Sequence, residues 1–452
     1  MIPPDAALGR LALALETARR LGADAADAVL AAESGIGIGV RLGRLEDVGR
    51  SESADLGIRV FRGQRSAQVS VSDLSDAAIA EAVARAIAIA DAAPEDRFAG
   101  LAPEDLLARG PFPDFDLHDP AAAALSPAEL QEMALAAEAA ALAVPGVTNS
   151  EGGSAGASEG LLALATSHGF AGVRRGTRVS VSAVAIAGEG ADRQRDFEWS
   201  EARHLADLEA PEAVGRTAGT RAVRRLSPVL PPTGPMPVVF DPRVAGSLLS
   251  HLASAMAGPA VARGTTFLIG RESEQLFPAE VRIRDDPHRP RGLRSRAFDA
   301  EGLATAPRAL VEDGRITGWL LDTASARQLG LAPTGHASRG VAGPPGVSVS
   351  NLHLEPGTLS PSALLSDIAL GLYVSELIGM GVNGLTGDYS RGATGFLIRH
   401  GALAEPVAEA TIAGNLRDMF RSLRPADDLV FRRAVNAPTV RIEGMTVAGG
   451  HG

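Results

Sequence analysis

Along the first third of the chain, apolar and polar positions alternate, and the period of the alternation changes. "IGIGVRLG" places Ile36, Ile38, Val40 and Leu42 on one side of an extended chain. "DLGIRVFRG" does the same with Leu56, Ile58 and Val60, and "SAQVSVSD" with Ala67, Val69 and Val71. A period of two predicts strands with one buried face. "SDLSDAAIAEAVARAIAIADAAPED" then spaces Ile79, Val83 and Ile87 four apart, which is one face of a helix. The opening "MIPPDAALGRLALALETARRLGADAADAVL" reads as an amphipathic helix. The close glycines of "GIGIGVRLG" lie inside an alternating strand, so they mark close backbone packing and not a dinucleotide-binding turn.

The same order of elements recurs. "SPAELQEMALAAEAAALAVPG" offers Ser126 as N-cap, Pro127 at the first helical position and Glu129 three residues after the cap, a capping box that predicts a helix start. "GLLALATSHG" and "TRVSVSAVAIAGEG" follow as strands, and "DLEAPEAVGRTAGTRAVRRL" has helical spacing. Two helix–strands–helix blocks, residues 1–120 and 121–227, predict an α+β layer with an internal duplication. The proline-rich residues 228–236 read as a linker. Residues 237–452 read as mostly antiparallel β, barrel-like, with a few helices. Asp313-Gly314 between two apolar runs predicts a hairpin; helices are expected after Asp241-Pro242, after Ser360-Pro361 and through "AGNLRDMFRSL".

Composition narrows the function. A formal net charge of −11 opposes non-specific binding to nucleic acid or anionic membrane surfaces. There is no Cys, and every one of the 43 basic residues is Arg. Disulfides, thiolate ligands, Cys nucleophiles, lysine Schiff bases and a P-loop lysine are therefore all excluded. The N-terminus lacks a signal-peptide pattern, and the apolar "IALGLYVSELIGMGV" is interrupted by Glu376 and too short to span a bilayer. A cytoplasmic protein is expected.

No two of the nine histidines (118, 168, 204, 251, 288, 336, 353, 400 and 451) lie three to five residues apart, so the helical zinc pattern is missing. There is no G-x-S-x-G elbow either. His251 falls on a helix with Leu248, Leu249 and Leu252 as its apolar face, the setting of a core or interface histidine. The densest candidate is "NGLTGDYSRGATGFLIRHG", which gathers Gly387, Asp388, Tyr389, Ser390, Arg391, Gly392 and Gly395 in a chain with only one other tyrosine, Tyr373. One reading is a pair of glycine turns. The other is a seat for an extended peptide, with Tyr389 as a flat contact and Arg391 as a fork for a carboxylate or carbonyl.

The block "GLYVSELIGMGVNGLTGDYSRGATGFLIRHGALAEPVAEATIAGNLRDMF", Gly371 to Phe420, closely resembles the signature region of the PmbA (TldE) branch of the TldD/PmbA family. "SADLGIRVFRG…VSVSDLS" and "VVFDPRVAGSLLSHLASAMAG" resemble it too. The resemblance implies an α+β N-terminal part and a β-rich C-terminal part. It also implies a role in a cytoplasmic TldD–TldE metallopeptidase that processes unfolded or leader peptides and matures peptide antibiotics, with the older label "modulator of DNA gyrase". In the TldD branch the helix after the "VV" strand carries H-E-x-x-x-H, with a Cys near the C-terminus. Here Ser250 and Ala255 occupy the His positions and His251 the Glu position. The resemblance thus implies a chain that binds no metal and supplies no catalytic residue, with zinc in a TldD-like partner. Gly387 to Gly392, Gly395 and His251 then form a substrate-channel wall or a subunit interface. The rival expectation is a homodimeric peptide-binding or regulatory protein without proteolytic activity. A weaker third is a metal-independent hydrolase using Asp388, Ser390 and a distant His.

Overall fold

The structure is a computed structural model and describes residues 1–449; His451 lies outside the described residues. The first block is α1 (Pro4–Arg20), β1 (Ala25–Arg41), β2 (Arg44–Arg62), β3 (Arg65–Val71) and α2 (Asp76–Ala92). The second is α3 (Pro127–Leu142), β4 (Val147–Thr166), β5 (Ala171–Ala187), β6 (Gln194–Ala202) and α4 (Pro211–Arg224). The alternating segments are strands, and β1, β2, β4 and β5 run well beyond the apolar stretches that announce them. The capping box forms: Ser126 Oγ accepts from Glu129 N–H, and the Glu129 carboxylate accepts from Ser126 N–H at 2.8 Å. The two blocks merge into one six-stranded sheet of order β3-β2-β1-β4-β5-β6, because β1 and β4 pair antiparallel from Asp27↔Thr166 to Val40↔Gly153. The order is symmetric about that central pair, as an internal duplication requires.

The C-terminal part contains a closed barrel. It is built from β7 (Gly234–Phe240), β8 (Leu370–Ile378), β9 (Asp388–Arg399), β10 (Ala402–Asn415) and β11 (Val440–Gly449). The order β10-β9-β8-β7-β11 closes through pairing of β10 with β11. Only β7 and β8 are parallel within it. Helix α5 (Pro242–Ala255) leaves β7 directly, with Asp241 as N-cap accepting from Arg243 N–H at 2.8 Å. Its Leu248, Leu249 and Leu252 join the barrel core, as the spacing predicted. The Asp313-Gly314 hairpin forms, and "AGNLRDMFRSL" is helical only over α6 (Leu416–Arg421), because β10 continues to Asn415.

Two ion-pair seams join the sheet to the C-terminal part. In one, Asp196 of β6 holds Arg225 at 3.2 Å and Arg243 at 2.9 Å, and Arg225 reaches Glu376 of β8 at 2.6 Å. In the other, Asp27 of β1 is paired with Arg59 and, at 2.6 Å, with Arg339. Burial alone would raise the Asp27 pKa, but the two guanidiniums outweigh it and hold it below the usual aspartate value. No helix among the described residues is long and apolar enough to cross a membrane.

Candidate functional site

The tyrosine–arginine stretch is not a loop. Residues 388–399 form β9, paired with β8 on one side and β10 on the other. Gly387, just before the strand, has a φ of 83°. Gly392 sits opposite Ile378, and Gly395 is required by close approach: a Cβ there would collide with the Tyr373 carbonyl of β8.

The pleat of β9 divides the motif. Successive side chains leave opposite faces. Tyr389 is 2% exposed and belongs to the barrel core, and Arg391 follows on the same face. Asp388 and Ser390 are exposed on the other. Asp388 accepts from Thr386 Oγ1 at 2.6 Å and Asn415 Nδ2 at 3.1 Å, and not from any histidine. This arrangement gives the hydrolase reading through Asp388 and Ser390 no geometric support.

Tyr389 and Arg391 meet α5. The His251 ring lies edge-on to Tyr389, centroids 6.0 Å apart at 79°. Burial first, and then the nearby Arg391 charge, lower the His251 pKa below its ordinary value. Burial pushes the Tyr389 hydroxyl up to about 12, against a smaller opposing pull from Arg391. His251 Nε2, Tyr389 Oη and Arg391 Nε are all buried without a protein hydrogen-bond partner. His251, Tyr389 and Arg391 are therefore one cluster, and Asp388 and Ser390 are not part of it.

On the adjoining face of α5, Ser247, Ser250 and Gly246 line a cavity of about 570 Å³ between the sheet and the barrel. Arg391, Ser375 and Glu376 close the barrel side, and Phe197 and Trp199 of β6 the sheet side. Arg433 lies over the Trp199 ring at 4.3 Å and Arg243 over Phe197 at 4.9 Å. None of the motifs singled out in the sequence includes the sheet-side walls, Phe197 and Trp199. The available signal was β6 itself, "DFEWSE", where Asp196, Glu198 and Ser200 are buried while Phe197, Trp199 and Glu201 open onto the cavity.

Zinc does not fit this site. Ser250 donates to the Gly246 carbonyl at 3.2 Å, Ala255 is buried in the core, and the one imidazole present faces a guanidinium. Among the described residues, no group of three or more His, Asp or Glu is arranged to hold a metal ion. The cavity can instead hold an extended polar chain between aromatic faces and arginine forks.

An α+β chain with a six-stranded sheet docked on a five-stranded closed barrel, and a cavity at their junction, has clear relatives. Family models for the PmbA/TldA metallopeptidases match in order: domain 1 over residues 26–90, the central domain over 120–226 and the C-terminal domain over 233–449. The metalloprotease PmbA of Escherichia coli O157:H7 is 39% identical over 94% of this chain and 92% of its own length. The PmbA homologue of Haemophilus influenzae is 36% identical over 97% and 95%. A crystal structure of a candidate modulator of DNA gyrase from Bacteroides thetaiotaomicron superposes with a TM-score of 0.91 at 27% identity, covering 100% of both chains. TldE of Thermococcus kodakarensis shares the fold, with a TM-score of 0.87 at 22% identity over 97% of this chain and 100% of that one. The chain belongs to the TldD/PmbA family of metallopeptidases, in its PmbA/TldE group.

Proposed function

We propose that this chain is the subunit of a heterodimeric TldD/PmbA-type zinc metallopeptidase that binds no metal itself, and that it positions unfolded or leader peptides for cleavage by a TldD-like partner. One observation carries the reading: the α5 positions that carry a histidine–glutamate–histidine set in the TldD branch hold Ser250, His251 and Ala255 here, and the Arg391 charge acts on His251. A cationic fork beside a lone neutral imidazole repels a divalent cation and suits a carbonyl or carboxylate. The partner's zinc would polarise the scissile carbonyl and activate water. This chain's residues bind and orient: Phe197 and Trp199 offer flat faces, and Arg391 and Arg433 offer donors to a peptide backbone. A peptide held in the junction cavity is ordered before reaction and shielded from bulk water.

The test is co-expression with a TldD-like subunit, followed by peptidase assays and metal analysis of each separated subunit. Activity is expected only in the pair, abolished by chelator, with zinc in the partner alone. Peptide cleavage by this chain alone in the presence of chelator overturns the proposal. A homodimer that captures peptides without cutting them, and that ignores a TldD-like subunit, favours the regulatory alternative.

A further inference from the structure

A second cavity, of about 690 Å³, lies between the outer face of the sheet and the C-terminal part. It shares Arg178, Leu293 and Arg294 with the junction cavity, so the two adjoin. Its walls carry six arginines against two acids, Glu33 and Asp55. Arg175 and Arg178 are neutralised by Glu159 and Glu201. The other four, Arg174, Arg203, Arg294 and Arg296, have no carboxylate within ion-pair distance among the described residues.

The bonds these four make are telling. Arg203 donates to the backbone carbonyls of Thr177, at 3.0 Å, and Leu293, and its Nε has no partner. Arg296 is 8% exposed and donates to the Ser348 carbonyl at 2.9 Å, and its Nε is also unpartnered. The acids that act on Arg296 at longer range are committed elsewhere: Asp285 accepts from Ser350 N–H at 2.7 Å, and Asp299 accepts from the Glu301 and Leu303 N–H groups. The Arg174 guanidinium makes no hydrogen bond to the protein, and burial together with the Arg296 and Arg203 charges brings its pKa down to about 10. Like charges are thus held together and still ionised, with Arg296 buried, Arg174 and Arg203 half-buried and Arg294 exposed, in a chain whose overall charge is −11. Buried cations without counter-charge are strongly unfavourable unless something anionic completes the site.

The geometry points to an anion site: the arginine-lined cavity takes a carboxylate of the peptide whose neighbouring residues occupy the junction cavity. The inference rests on the peptide-positioning reading and adds a substrate class, peptides with an acidic residue or a free C-terminus. A long polyanion is disfavoured, because the acidic chain repels it and Glu33 and Asp55 share the wall. A planar guanidinium with free N–H groups matches a carboxylate in a bidentate fashion.

The test is isothermal titration calorimetry on the full-length chain with three unstructured peptides of identical length. One is capped at both ends and carries glutamates, one has glutamines in their place, and one is the glutamine peptide with a free C-terminal carboxylate. The glutamate or the free-acid peptide is expected to bind roughly tenfold tighter than the capped glutamine peptide, since charge-assisted hydrogen bonds are stronger than neutral ones. The preferred one identifies the carboxylate source, and inorganic phosphate should compete weakly. Arg174→Gln should abolish the preference without weakening the neutral peptide. Arg294→Gln, on an exposed side chain with no ion pair, should reduce the preference and serves if the first variant fails to fold. Equal affinity for all three peptides overturns the anion site and leaves peptide positioning standing. Failure of every peptide to bind sinks both. A preference that survives Arg174→Gln and Arg294→Gln also overturns the site.

Discussion

The six-stranded sheet and the five-stranded barrel solve the same packing problem with different residues. Under the second block, the sheet–helix core is built from Ala137, Ala141, Ala183, Ala185, Ala187, Ala218 and Ala222, with valines between them. The barrel core is built from Phe240, Leu248, Leu252, Phe277, Tyr389 and Phe420 among many other large side chains. Small residues let helices approach the sheet and each other until backbone touches backbone. A closed barrel has a fixed interior that only bulky side chains fill. The lesson is that one region is vulnerable to added volume and the other to lost volume.

The largest expected effect follows from lost volume. Phe420 is fully buried and stacks on Phe277, centroids 4.7 Å apart. Phe420→Ala should destabilise the barrel by about 3–5 kcal/mol, read from denaturant unfolding. A loss near that of an alanine-layer substitution would erase the contrast. Next comes the seam between the regions. Arg225→Met leaves Asp196, which is 2% exposed, with Arg243 as its remaining charge partner, and strands Glu376. A loss of about 3 kcal/mol is expected. Separate melting of sheet and barrel in the variant would show that the seam couples them.

Glu301, which accepts from Thr323 and feels the charge of Arg59 in the second seam, gives a test through pH. Burial first, and then Asp299, raise its pKa from 4.5 to about 7. The folded protein therefore keeps a proton that the unfolded chain releases near pH 4.5. Stability is lost as pH rises from about 4.5 to 7, by about 3 kcal/mol. Glu301→Gln should flatten that slope, so that melting temperatures at pH 5 and pH 8 converge relative to the parent. Asp27, held low by its arginines, has the opposite sign and loses its contribution only on acidification. Gly215→Ala probes added volume. On helix propensity alone the change should stabilise by about 1 kcal/mol. A Cβ at Gly215 meets the Ala137 carbonyl of α3, however, so a net loss of about 1–2 kcal/mol is expected. A higher melting temperature would show that the two helices can part freely.

Much of the sheet was legible in the sequence because its signals are local. Alternation at Ile36–Val40 and Leu56–Val60, and the cap at Ser126, are written within a few residues of where they act. The joining of the two blocks through β1 and β4 was not legible, since pairing between distant strands leaves no mark in either. The barrel strands were seen only in part. Gly392 and Gly395 looked like turn residues, yet they mark where β8 and β9 press together; Gly387, at a φ of 83°, is the turn glycine of the three. Of the candidate site, His251, Tyr389 and Arg391 were each singled out in the sequence, but their grouping depends on the pleat of β9 and the seating of α5. The arginines of the second cavity come from segments as far apart as Arg174 and Arg296 and carry no spacing pattern.

The two tyrosines give the smallest effect and the sharpest contrast, because they sit in related settings with opposite hydrogen-bond accounts. Both lie on barrel strands. Tyr373, on the outer face of β8, donates to Asp241 Oδ2 at 2.8 Å while the other carboxylate oxygen caps α5. Burial, with the Asp241 charge next, keeps its hydroxyl protonated far above the normal range, so the bond persists at all working pH values. Tyr389 points inward, and its buried hydroxyl has no protein partner. Removing a satisfied hydroxyl strands its acceptor, whereas removing an unsatisfied one relieves a desolvated dipole. Tyr373→Phe should therefore lower stability by about 1 kcal/mol, and Tyr389→Phe should leave it unchanged or slightly raised. Equal losses in the two variants would mean that the Tyr389 hydroxyl is bonded after all, with the neighbouring Arg391 guanidinium as the donor to it.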